Sequence, residues 1–347
     1  MTPESMQALH TRIIGAGAAE GFLLGLPNEE YHRESFGISN SMLKQMDPTP
    51  RHLVGYLDER ERKAKEDAAE AERTGEPVVS DSEKIEHFLV GSLVHHALLT
   101  PDEPMPRLVC PPAEYPSEDG YPKNWNWNAK FCKRWRAEQR RAGRIVLSHD
   151  AYRQAQGCVQ AVCSHPKAVR YLRQGIGEVS GFARWTLGWS LMRRFRLDWL
   201  PPGKALVDVK TVPKGGADPE EFSKIMVNFG YDQQAAYYLD AFNDLVGLVT
   251  NGNALVRTRE ISGDAPTALL TQRKEAFVFI VVEKEPPYAC AVYYVANEVL
   301  ERGRRIYTDR LQAAAEACHT GNWPSYPIDM QCIGLPGHIR RKEAFAA

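Results

Sequence analysis

Two short stretches hold the residues with the clearest capacity for chemistry: Arg194-Phe195-Arg196-Leu197-Asp198-Trp199 and Val207-Asp208-Val209-Lys210-Thr211. Both are rich in aromatic and β-branched residues and predict strands, on which side chains alternate between two faces. Alternation puts Arg196 and Asp198 on one face, with Phe195, Leu197 and Trp199 on the other; likewise Asp208 and Lys210 share a face, opposite Val207 and Val209. Pro201-Pro202-Gly203 between the stretches is a turn signal, and an antiparallel return brings Asp198 beside Asp208. Two adjacent carboxylates repel unless a cation lies between them. A hard divalent ion such as Mg²⁺ suits that place, because it takes carboxylate oxygens and keeps waters for a phosphate substrate. Lys210 then stands where it can stabilise a metal-bound hydroxide or charge developing on a phosphorane. The same residues also fit a plain surface hairpin, whose solvated ion pairs carry almost no energy.

The elements that must position these residues follow from periodicity. Three strand-like segments between 178 and 212 are broken by Leu187-Gly188 and by the Pro-Pro-Gly turn, which predicts a three-stranded meander. Residues 230–246 are amphipathic and helical, 277–282 and 289–295 read as two more strands, and 297–318 as a closing helix. Upstream, Ile85, Phe88, Leu89, Leu93, Leu98 and Leu99 recur at helical spacing and predict a buried helix ended by Thr100-Pro101. Helices are also expected over 129–141 and 148–172, with a long loop over 101–127. Near the start, Ser39 or Asn40 can cap a short helix that Pro48 and Pro50 end, and 51–57 reads as a second short helix. The stretch 59–84, dense in Glu, Lys, Arg and Ala, reads as a solvated helix or mobile linker. Helices, then a mixed sheet enclosing one helix, then a helix predict an α/β class with an α-helical N-terminal part.

Composition narrows the function. The 347 residues carry 43 basic and 44 acidic side chains, so any polyanion site is a local patch rather than a whole-chain field. Seven scattered cysteines with no CxxC pair argue against a zinc ribbon or iron–sulfur cluster and fit a reducing, cytoplasmic setting. No apolar run approaches the roughly 18 residues of a membrane span, and the N-terminus lacks a signal pattern, so no membrane partner is expected. Gly15-Ala16-Gly17 lacks the rest of a dinucleotide fingerprint, and GxxxxGK[ST], HExxH and GxSxG are absent, which leaves nucleotide hydrolysis and serine catalysis without support.

Asp198 followed by the triplet Asp208-Val209-Lys210 resembles the signature of the PD-(D/E)XK nuclease superfamily, with Leu197 in place of the proline. Gly91-Ser92-Leu93-Val94-His95-His96-Ala97-Leu98 resembles the G-x-x-x-H-x-x-L element of its RecB-like branch. Tyr231-Asp232-Gln233-Gln234-Ala235-Ala236-Tyr237-Tyr238 resembles the Q-x-x-x-Y element, read as Gln234 and Tyr238. Tyr31-His32, then Ile38-Ser39-Asn40-Ser41-Met42-Leu43 and Pro50, resembles the start of RecE-type phage and prophage exonucleases. The pieces keep the family order over residues 30–327.

The resemblance implies a PD-(D/E)XK core, a mixed central sheet flanked by helices, over 85–327. It would follow a helical region with a charged linker over 1–84 and precede a basic tail over 328–347, where Arg340, Arg341 and Lys342 stand. Implied too is an ATP-independent, Mg²⁺-dependent exonuclease, with Mn²⁺ as substitute, acting on linear double-stranded DNA from the 5′ end for a single-strand annealing partner. His95, Asp198, Asp208 and the carbonyl of Val209 would hold the metal, and Lys210 would orient the attacking water. Gln234 and Tyr238 would position the DNA, Arg196 would meet a phosphate or Asp198, and Glu178 would serve a second metal or a water. A ring-shaped homo-oligomer is a further expectation. Alternatives are a nuclease of the same fold for other DNA ends or for defence, and a degenerate DNA-binding or assembly protein.

Overall fold

The computed structural model describes residues 3–335 and 339, apart from 16, 28–29, 32–35, 76–77, 79–85, 101, 104, 118–119 and 259–266. His32 and the basic triplet Arg340, Arg341 and Lys342 lie outside the described residues. The chain opens with α1 (Pro3–Ile14), β1 (Gly21–Leu24), β2 (Ile38–Ser39), α2 (Asn40–Lys44), α3 (Pro50–Thr74) and α4 (Glu86–Leu99). A middle section holds β3 (Leu108–Val109), β4 (Glu114–Pro116), β5 (Pro122–Asn124), α5 (Lys130–Arg141), β6 (Ile145–Val146), α6 (His149–Ser164) and α7 (Pro166–Leu172). Then come β7 (Ile176–Leu187), β8 (Trp189–Leu200), β9 (Ala205–Val212), α8 (Pro219–Asn228), α9 (Tyr231–Thr250), β10 (Leu255–Thr258) and α10 (Thr267–Leu270). β11 (Ala276–Glu283), β12 (Cys290–Tyr294) and α11 (Asn297–Thr320) close the chain.

The main sheet runs β10, β1, β7, β8, β9, β11, β12, with β2 paired to β8 off this path. It is mixed: β1 with β10, β9 with β11 and β2 with β8 are parallel, and the other pairs antiparallel. β11 is apolar almost throughout because both of its faces are covered. Phe277, Phe279 and Val281 join the core shared with α9 and α11, whereas Val278, Ile280 and Val282 join the core shared with α4 and α6. The expected α/β architecture, a mixed sheet flanked by helices behind an N-terminal helical part, is thus the one observed. The first 39 residues also give the sheet two strands, β1 and β2.

Several local expectations differ. The stretch read as a short helix and then a solvated helix or linker is one helix, α3, to Thr74. Its Ala, Glu, Lys and Arg residues are strong helix formers, and pairs such as Lys65–Glu61 at 2.8 Å bridge successive turns. The helix expected over 148–172 breaks at His165, which caps α7 ahead of Pro166. The expected long loop contains the β4–β5 hairpin. Phe88, expected inside, is exposed, and α4 buries Leu89, Val90, Leu93, Val94, Leu98 and Leu99 instead. At the opening motif Ser39 is the cap, its hydroxyl accepting from the Met42 amide at 3.3 Å.

Candidate active site

The central strands meet along one row of residues. Gly177 of β7 pairs with Trp199 of β8, and Trp199 pairs with Val207 of β9. The next row along the same registers is Glu178, Asp198 and Asp208, three carboxylates on three adjacent strands. Like charges placed directly across a sheet are destabilising, and backbone pairing lapses there. Glu178 takes no part in the ladder and has φ +52, the left-handed region. Beyond Trp199–Val207 the two strands part, and β8 turns its edge to β2 at Arg193 and Arg194. The Asp198 carboxylate enters the fork and accepts the Val209 amide at 2.9 Å.

α4 lies over this fork, with Gly91 facing β9 so closely that a Cβ there would stand 3.3 Å from Thr211 Oγ1. One turn later, His95 Nε2 donates to the Val209 carbonyl at 2.8 Å while Nδ1 lies 3.7 Å from Asp198 Oδ2. His95, Glu178 and Asp198 each present a ligand atom within 4.8 Å of the others, and all three are half-buried. These donors fit a divalent ion: an imidazole and two carboxylates of like charge, with a backbone carbonyl beside the imidazole. His96, turned away, has its Nδ1 3.2 Å from Thr100 Oγ1.

Asp208 stands outside that donor trio. Its Oδ1 accepts from Gln234 Nε2 at 2.6 Å, and its Oδ2 is 2.6 Å from Lys210 Nζ. Burial, with Asp198 adding to it, pushes the Asp208 carboxyl up to about 6 in spite of Lys210. Burial pulls the Lys210 ammonium down, but Asp208 and Asp198 outweigh it and the net shift is upward. Burial and then Asp198 raise Glu178 to about 7, against the pull of Arg196.

Arg196 is buried and engaged internally. It donates to Ser180 Oγ at 3.0 Å, Glu178 Oε2 at 3.3 Å and the Leu26 carbonyl at 2.6 Å, and lies 4.3 Å from the Tyr31 ring centroid. Its carboxylate partner is therefore Glu178. Of the paired glutamines, Gln234 reaches the acids, whereas Gln233 donates to Asn40 Oδ1 at 2.7 Å. Tyr238 is half-buried beside Phe195, with centroids 6.1 Å apart.

The motifs assign no role to Lys44, the last residue of α2. Its Nζ lies 5.4 Å from the Tyr231 ring centroid, and Lys210 Nζ lies 4.6 Å from the same centroid. Burial, then repulsion from Lys210, lowers the Lys44 ammonium to about 8. The only sequence signal for it is its place directly after the opening motif.

Residues 39–253, well over half of the chain, match the family described as "PDDEXK-like domain of unknown function (DUF3799)". The chain belongs to this PDDEXK-like family. His95, Glu178, Asp198, Asp208, Lys210, Gln234 and Tyr238 all fall inside the span of the PDDEXK-like domain. Among solved structures, the chain is similar to a protein from Eubacterium rectale described as "Putative exonuclease". The identity is 14% over 88% of this chain and 97% of that one, with a TM-score of 0.46. It is also similar to SSO0001, at 11% identity over 66% of this chain and 85% of that one, with a TM-score of 0.25. No curated protein matches the chain. Among the described residues, no helix is long and apolar enough to cross a membrane.

Proposed function

We propose that the protein is a Mg²⁺-dependent, ATP-independent DNA exonuclease of the RecE kind, hydrolysing linear duplex from its 5′ ends. The observation that carries this reading is the row of Glu178, Asp198 and Asp208 across a parted strand pair, with His95 above it and Lys210 beside it. Three acids in one row oppose stability, and a divalent ion with a phosphodiester substrate accounts for them.

His95, Asp198, Asp208 and the Val209 carbonyl would hold the metal, with Glu178 completing the donors around Asp198. The ion supplies Lewis acidity toward the scissile phosphate and acidity to a bound water. Lys210, kept charged by Asp208, orients the attacking water and offsets negative charge as it builds on the phosphorus oxygens. Gln234 holds Asp208 in place, and its neighbour one turn on, Tyr238, bears on the DNA backbone. Arg196 fixes Glu178 and also binds Ser180 Oγ and the Leu26 carbonyl. A single-strand annealing protein would take up the exposed strand, and a ring of subunits would enclose the duplex.

Incubation of the purified protein with linear and covalently closed duplex, in Mg²⁺ and then in EDTA, tests the reading. Digestion of the linear form alone, abolished by EDTA, is expected. Digestion in EDTA would overturn the metal-dependent mechanism, and equal digestion of closed circles would overturn the exonuclease assignment.

A further inference from the structure

Although the whole chain has a net charge of −1, residues 123–144 hold eight lysines and arginines against Glu138 alone, a local charge of +7 that leaves the remainder at −8. Six of the eight are on α5. The inner side of α5 is fixed by packing. Cys132 is buried, Phe131 stacks on Tyr115 with centroids 6.0 Å apart, and Trp135 meets Trp125 edge-on at 5.0 Å; buried Ala137, one turn past Lys133 and Arg134, bounds the outer stripe on its C-terminal side. Lys130, Lys133 and Arg134 are left exposed on the outer side. Arg134 lies 3.2 Å from Glu138, an exposed pair of little strength. At the edge of this face the Arg136 guanidinium is 5.8 Å from the ring centroid of half-exposed Trp127.

This charge opposes the helix that carries it. The first turn holds Lys130 and Lys133 and no acid, and Ala129 at the cap position makes no side-chain cap bond. Cations therefore stand at the positive end of the helix dipole, uncapped. Lys130 also repels Lys133 and Arg134, its neighbours three and four residues on. An external polyanion accounts for a cationic face retained against helix stability on an element whose other face is well packed. α5 and the segment that follows it contact neighbouring helices. Arg141 donates to the Thr74 carbonyl at the end of α3 at 3.4 Å. The Ser148 amide donates to Glu86 in the first turn of α4, which carries His95, at 2.8 Å.

We propose that the outer face of α5, with Trp127 at its edge, is a second DNA-binding surface that grips the phosphate backbone away from the cutting site; this rests on the nuclease reading above. Lysines and arginines neutralise phosphates whatever the sequence, and each contact displaces counterions. Arg136, held over the Trp127 ring, adds a further cation at the edge of this surface.

The test compares wild type with the triple variant Lys130→Gln, Lys133→Gln, Arg134→Gln, in EDTA so that no cutting occurs. Fluorescence anisotropy on labelled duplex and single-stranded oligonucleotides, repeated over a salt series, reads affinity and its salt slope. About tenfold or greater loss of affinity is expected, with a slope shallower by about 2 to 3, since each phosphate contact contributes about 0.9 on duplex. Glutamine suits helices, so the far-ultraviolet circular dichroism should be unchanged; the double variant Lys130→Arg, Lys133→Arg should bind as wild type does. Cutting rates at saturating DNA should stay at the wild-type level. Wild-type affinity and slope in the triple variant would overturn the α5 surface and leave the nuclease reading standing. A wild-type protein that neither binds nor cuts DNA would overturn that reading, and the surface with it.

Discussion

Asp208 and Lys210 neutralise one another at 2.6 Å in a buried setting, so removing either partner leaves the other uncompensated where the reaction's charge develops. Asp208→Ala or Lys210→Ala should lower the rate of DNA hydrolysis by about 10² to 10³ or more, measured as initial rates on linear duplex with circular dichroism to verify folding. The two histidines of α4 separate in the same assay. His95 lies against Asp198 and the Val209 carbonyl, whereas His96 bonds to Thr100. His95→Ala should therefore lose far more activity than His96→Ala, with partial rescue by Mn²⁺, which accepts nitrogen ligands more readily; the reverse order would move the ligand to His96. Glu178 gives a pH signature. Its folded value near 7 exceeds its ordinary 4.5, so the folded state binds this proton more tightly than the unfolded. That contribution to stability is full below about 4.5 and is lost as pH rises through about 7. In EDTA, Glu178→Gln should melt above wild type at pH 8 and close to it at pH 4.5, and Mg²⁺ should raise the wild-type melting temperature more than the variant's. A variant melting below wild type at pH 8 would contradict the strained acidic row. Period-two alternation was enough to place Asp208 beside Lys210, and the turn between the strands brought Asp198 to the same row. It could not show that Arg196 would spend its donors on Glu178, Ser180 and Leu26, because those contacts depend on which strands become neighbours.

The site depends on how elements meet. α9 holds Gln234 against Asp208 only while α11 lies close along it, and Gly303 permits the approach: a Cβ there would stand 2.1 Å from the Asp232 carbonyl. That neighbour is helix backbone and yields poorly, so Gly303→Ala should lower stability by about 1–3 kcal/mol in a denaturant titration. Activity at a fixed temperature should fall less than in Asp208→Ala. Periodicity foretold the long elements of the core, including α9 and the closing helix. It missed β1, β2 and β10, whose four, two and four residues are too short for a periodic signal and form by pairing with strands distant in sequence. The continuous α3 was legible in composition but not in apolar pattern, because beyond Leu57 the helix buries no residue.

At the scale of the whole molecule, the N-terminal strands belong to the same sheet as the acids, so the opening motif and the distant triplet are parts of one body. Under the exonuclease reading proposed above, a free DNA end should be required, so covalently closed circles should resist digestion and fast cutting of them would count against it. The sequence kept the motifs in order but read residues 1–84 as a helical region, and the pairing of β1 and β2 into the sheet was not legible there; the family span over residues 39–253 covers the PDDEXK-like core. The most direct test of the central claim is the initial rate on linear duplex for wild type and folded Asp208→Ala, each in Mg²⁺ and in EDTA. The account predicts rapid hydrolysis by wild type in Mg²⁺ alone, and almost none in the other three conditions. Hydrolysis by Asp208→Ala at the wild-type rate would contradict it.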